Sequence, residues 1–160
     1  PGLYLEELNQ KIINLIQIGQ YATMFYGFMD LEKEKLFYST AGCPNPFIFT
    51  NNRCTELDGT GFPIGTYKKA TYETLEIDFK PGSMFFMYSD ALIETPGKNN
   101  QFMSNSKIKE ILLKVFSSNE IENNQKAGLC LTNLLNEFET NYKKYLSDDL
   151  TLNIYYQKIQ

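Results

Sequence analysis

The chain has 160 residues, 42% of them hydrophobic, with 11 Tyr, 12 Phe and a formal net charge of −4. That length sets an expectation of one domain, residues 1–160. The aromatic content supplies a core, and mild acidity without a basic, aromatic-interleaved stripe argues against nucleic acid as a partner. Histidine is absent, which excludes Ser-His-Asp and Cys-His nucleophiles, HExxH zinc sites and imidazole acid–base chemistry.

In chain order, Leu5, Leu8, Ile12 and Leu15 recur at helical spacing with Ile16 beside them, predicting an amphipathic helix over residues 3–18 ended by Gly19. "YATMFYGFMD", the polar turn "DLEKEK" and "KLFYSTAG" read as a β-hairpin with apolar groups on both faces. "AGCPNP" is a turn. "FIFT" and "RCTEL" are short strands joined by "NN". "DGTGFPIGTY" is a loop; no helical pattern and no GK[ST] follow it, so its glycines are not read as a phosphate cradle.

"TYETLEIDF" alternates and predicts a strand, "KPGS" turns the chain, and "MFFMYSD" predicts the next strand. A polar loop over 95–106 leads to a helix near 107–117, with Ile108, Ile111, Leu112 and Val115 inward. A second helix over about 124–142 carries Ala127, Leu131, Leu134 and Phe138 on one face. "DDLTLNIYYQKI" closes the chain as a strand. The order is a helix, about six strands, two helices and a strand. Short turns between neighbours make the strands antiparallel, so the class is α+β, a β-sandwich covered by helices.

The cysteines Cys43, Cys54 and Cys130 fit neither a CxxC nor a zinc pattern and read as small buried hydrophobes. They suit a reducing, cytoplasmic location. No apolar run approaches the ~20 residues of a membrane span, and no signal-peptide pattern is present.

Three carboxylates stand out. Asp90 ends the apolar run of "PGSMFFMYSDALIET"; Asp148 and Asp149 open the closing strand. If those two strands pair antiparallel, the exit of one lies beside the entrance of the other and the acids meet at one edge. Gathered carboxylates repel unless a cation joins them. Mg²⁺ or Mn²⁺ suits such oxygen donors and keeps several waters. An Asp after a strand and "SDD" before one are also ordinary turn chemistry. Glu32, Glu34, Glu137 and Glu139 read as solvated faces.

Taken together, four segments resemble the bacterial PP2C-like serine phosphatases of the sporulation-protein-IIE and sigma-factor-regulator type. They are "YATMFYGFMDLEKEKLFYSTAGCPNPFIF", "GTGFPIG", "PGSMFFMYSDALIET" and "SDDLTLNIYY", in family order. "LYLEELNQKI" is similar to the preceding "LL..LN" helix. The resemblance implies a β-sandwich flanked by helices. It implies hydrolysis of protein phosphoserine or phosphothreonine by a water activated on Mn²⁺ or Mg²⁺. By motif match Asp90 and Asp148 are metal ligands, and Asp149 supports them from outside the coordination sphere. The implied partner is a phosphorylated anti-sigma-factor antagonist.

The chain departs from the family pattern at Ala91 (usually Gly), Cys43 (usually His) and Ser83 (usually Asp). Upstream "GD..D" and "D.SGHG" segments have no counterpart. Together with the Pro1 start, this leads to the expectation of a C-terminal major part of a longer domain, inactive alone for lack of upstream ligands. Its open strand edges would favour a homodimer. The alternative is a degenerate, non-catalytic binding or regulatory module.

Overall fold

The computed structural model describes residues 1–17, 19–50 and 53–158. The elements run α1 (Gly2–Ile12), β1 (Met24–Asp30), β2 (Lys35–Ala41), β3 (Phe47–Thr50), β4 (Arg53–Glu56), β5 (Leu75–Asp78), β6 (Met84–Tyr88), α2 (Ala91–Glu94), α3 (Asn105–Phe116), α4 (Asn123–Asn141) and β7 (Leu152–Tyr156). Single 3₁₀ turns lie at Lys98–Asn100 and Lys143–Tyr145. All strand pairings are antiparallel, and the class is α+β as the sequence indicates.

The chain divides into two compact units, each built from two stretches of sequence. The first comprises Pro1–Asn45 and Asp58–Lys80. Its sheet has the order β1-β2-β5, with β1 and β2 forming the expected hairpin in register from Met24↔Ala41 to Asp30↔Lys35. Leu5 of α1 packs with Ala41, Ile64, Ala70 and Tyr72, flanked by Leu8, Ile12 and Met24. Helix α1 also fastens the long glycine-bearing loop. Asn9, fully buried, donates its amide to the Tyr67 carbonyl (2.8 Å) and accepts from the Gly65 N–H (2.8 Å). Gly65 has φ +91°, and a Cβ there would collide with Ile16.

Two expectations in this unit are corrected. The helix of residues 3–18 stops at Ile12: Leu15 N–H turns back to the Ile12 carbonyl, and Leu15 is 81% exposed. The predicted end at Ile18 lies outside the described residues. The strand expected over "TYETLEIDF" is confined to Leu75–Asp78. Tyr72 is taken out of it by bonds from its N–H to Glu6 and from its hydroxyl to the Phe62 carbonyl.

The second unit comprises Pro46–Leu57 and Pro81–Gln160, with the sheet order β4-β3-β6-β7. The "NN" connection between β3 and β4 lies outside the described residues. Alternate residues Phe47 and Phe49 of β3 and Met84, Phe86 and Tyr88 of β6 share a face, as strand periodicity requires. They pack on Ile108, Leu112, Val115 and Phe116 of α3 and on Cys130, Leu134 and Phe138 of α4. Ile48 and Phe85, which point the other way, are buried too. The inner face of α4 therefore centres on Cys130, while Ala127 and Leu131 of the expected set are only half-buried. Short helix α2, lying between the expected strand and the expected polar loop, is closed by Thr95, whose hydroxyl donates to the Ala91 carbonyl at 2.6 Å.

Candidate active site at the β6–β7 end

Strand β6 runs antiparallel to β7 in register from Met84↔Tyr156 to Tyr88↔Leu152. The exit of β6 therefore lies beside the entrance of β7, the arrangement that brings Asp90 toward Asp148 and Asp149. Five apolar or aromatic residues, Met84–Tyr88, can run up to Ser89 and Asp90 because β6 is largely buried and its last pair, Tyr88↔Leu152, marks where the chain leaves the sheet.

Each acid is held by local backbone chemistry. Asp90 occupies the N-cap of α2 with helical φ −54° and ψ −28°, and its carboxylate makes no capping bond to that helix. Its carbonyl accepts the Ile93 and Glu94 N–H groups at 2.9 and 2.8 Å. Asp148 uses one carboxylate oxygen to accept the Asp149 N–H at 2.7 Å. Asp90 is half-buried and the other two are exposed. Among the described residues none of the three forms an ion pair, so no lysine or arginine neutralises them.

Sequence reasoning passed over Ser89. Its N–H donates to the Thr151 carbonyl (2.9 Å), its hydroxyl donates to the Asp149 carbonyl (3.0 Å), and the same oxygen accepts the Thr151 N–H (2.9 Å). A serine before an aspartate looks like any turn residue, so nothing in composition or spacing singles it out.

The donor chemistry of Asp90, Asp148 and Asp149 is that of a hard divalent cation. The acids do not close around one: among the described residues no group of three or more His, Cys, Asp or Glu side chains is placed to hold a metal ion. Carboxylate oxygens together with water are the donors that Mg²⁺ commonly takes.

The other singled-out positions are elsewhere. Ala91 is nearly fully buried as the first residue of α2, with none of the positive φ that would demand glycine. Ser83 begins the opposite end of β6, its hydroxyl buried without a hydrogen-bond partner. Cys43 lies in the first unit, its thiol pKa raised by burial. Glu139 pairs with Lys143 at 2.8 Å and Glu137 accepts from Asn141 at 2.8 Å, the surface roles expected of them. No helix among the described residues is long and apolar enough to cross a membrane.

The sequence model of the stage II sporulation protein E (SpoIIE) family matches residues 1–155. Phosphoserine phosphatase RsbU of Bacillus subtilis is 24% identical over 101 residues, covering 62% of the chain but 30% of RsbU. The RsbU and RsbW domains of a Mycobacterium tuberculosis protein superpose with a TM-score of 0.72 at 23% identity, over 93% of this chain and 40% of that one. The manganese-presoaked phosphatase domain of SpoIIE from Bacillus subtilis superposes with a TM-score of 0.62 at 16% identity, over 99% and 67%. The fold is that of PP2C-like phosphatase domains. The chain spans less than a third of the curated relative RsbU.

Proposed function

Because the chain belongs to the stage II sporulation protein E family of PP2C-like serine phosphatases, we propose that it is the larger part of a catalytic domain hydrolysing phosphoserine or phosphothreonine on a protein partner. The observation that carries this reading is the antiparallel β6–β7 pairing, which brings Asp90 and Asp148 to one end of a rigid ladder.

In this reading Asp90 and Asp148 hold Mn²⁺ or Mg²⁺, and Asp149 steadies Asp148 through its N–H. Manganese is the ion named for the SpoIIE domain. Such a cation, when bound, supplies charge neutralisation for phosphate and acidifies a water. The chain's own contribution is to present carboxylates from two strand ends whose backbones are already hydrogen-bonded, so little ordering is left for the moment of binding. Absence of histidine is compatible, since no side-chain nucleophile is required. The partner would be a phosphorylated anti-sigma-factor antagonist, by likeness to RsbU and the RsbU–RsbW protein. The setting would be cytoplasmic, and open strand edges would favour a homodimer.

The test is Mn²⁺-dependent release of phosphate from a phosphoserine protein by the full-length protein. Asp90→Asn and Asp148→Asn should each lower turnover on the order of a hundredfold or more. Asp149→Asn keeps the N–H that serves Asp148 and should leave turnover near the unsubstituted value. Unchanged turnover in Asp90→Asn would remove that residue from the site. A second reading, a phosphatase-like module that binds without catalysis, is favoured by the lack of a three-residue metal cluster among the described residues. It wins if the full-length protein shows no turnover with either ion.

A further inference from the structure

We infer that Ser89 is a positioning residue for the acidic pair, its hydroxyl standing in for a backbone carbonyl where β6 leaves the sheet. The inference rests on the reading of Asp90 and Asp148 as cation ligands.

The ladder explains why a substitute is needed. Beyond the last pair, Tyr88↔Leu152, the next partners are Ser89 and Thr151. Ser89 still donates its N–H to the Thr151 carbonyl at 2.9 Å, as an antiparallel pair should. The reciprocal bond would run from the Thr151 N–H to the Ser89 carbonyl. That carbonyl instead accepts the Leu92 N–H at 3.1 Å, because the chain is turning into α2. Ser89 Oγ fills the gap, accepting the Thr151 N–H at 2.9 Å.

The hydroxyl then spends its own proton on the Asp149 carbonyl at 3.0 Å, 60 positions away in sequence. Asp149 is thereby fixed at both ends: its carbonyl by Ser89 and its N–H by the Asp148 carboxylate at 2.7 Å. The bonds form one chain from the residue before Asp90 to the side chain of Asp148. Without the hydroxyl, the Ser89 N–H would still hold the Thr151 carbonyl, but no bond from β6 would reach Asp149, next to Asp148. The site would be present and loose.

A serine or threonine hydroxyl sits on Cβ and can reach both partners; an alanine methyl can do neither. Ser89→Ala should therefore weaken Mn²⁺ binding by the full-length protein roughly tenfold, the worth of about one to two net hydrogen bonds. Ser89→Thr should restore it to near the unsubstituted value. In metal-free protein, amide hydrogen exchange at Thr151 should speed up in Ser89→Ala and return with Ser89→Thr. Mn²⁺ titration followed by electron paramagnetic resonance, with Asp90→Asn and Asp148→Asn alongside, separates the outcomes. If the aspartate variants lose Mn²⁺ and Ser89→Ala binds like the unsubstituted protein, the positioning role is overturned and the metal reading stands. If the aspartate variants bind Mn²⁺ undiminished, the metal reading falls and the inference falls with it. If Ser89→Thr behaves like Ser89→Ala, the hydroxyl is not what positions the segment.

Discussion

Cys130 is wholly buried on α4, its thiol 3.7 Å from the Leu112 carbonyl, and burial pushes its pKa up to about 12. Cys54 is pushed up to about 11, again chiefly by burial. The thiolate is the reactive species, so at pH 8 Cys130 should resist a disulfide-exchange reagent in the native protein and react once denaturant unfolds it. Native-state labelling of Cys130 at the rate of a free thiol, read by mass spectrometry, would contradict its place in the core. The reading of the cysteines as small hydrophobes holds in full for Cys130, and less so for Cys43 and Cys54, which are only half-buried. At the same scale Asp90 was legible because a carboxylate after an apolar run has few comfortable destinations. Ser89 was not legible, because its role depends on which carbonyl of a distant segment it meets.

At the scale of elements, strands dense in aromatic and β-forming residues around a polar turn were readable: β1 and β2 form the hairpin expected of them. Ends were not. The spacing of Leu15 and Ile16 continues the helical pattern past the point where α1 stops, because periodicity records what could pack and not where packing ends. The clamp between α1 and the glycine-bearing loop is likewise tertiary. Asn9 serves the Tyr67 carbonyl and the Gly65 N–H with one amide. Asn9→Leu should cost about 1–3 kcal/mol by leaving buried backbone groups unsatisfied. Denaturant unfolding measures this; a loss below about 0.5 kcal/mol, the scale of ordinary surface substitutions, would mean that the clamp does not bear on stability.

At the scale of the molecule, neither unit is a continuous stretch of chain. The sheet of the second unit needs β3 between β4 and β6, and its core needs Phe47 and Phe49. A fragment of residues 81–160 would carry β6, β7 and all three of α2, α3 and α4 but not those strands. It should give poorly dispersed amide spectra and no cooperative thermal transition, the mark of a core without its packing. A sharp, reversible transition in that fragment would show that β3 is dispensable.

The link from Ser89 to Asp149 also has a meaning in time. On the ribosome Asp90 emerges long before its companions, and the 60 positions between Ser89 and Asp149 must be made before the two can meet. Domains fold as their segments emerge, the N-terminal parts first. The acidic end of β6 is therefore assembled only when β7 clears the exit tunnel and zips onto the ladder. A nascent chain paused before residue 148 would carry a nearly complete core and no site, so that whatever chemistry these acids perform is withheld until synthesis has passed them.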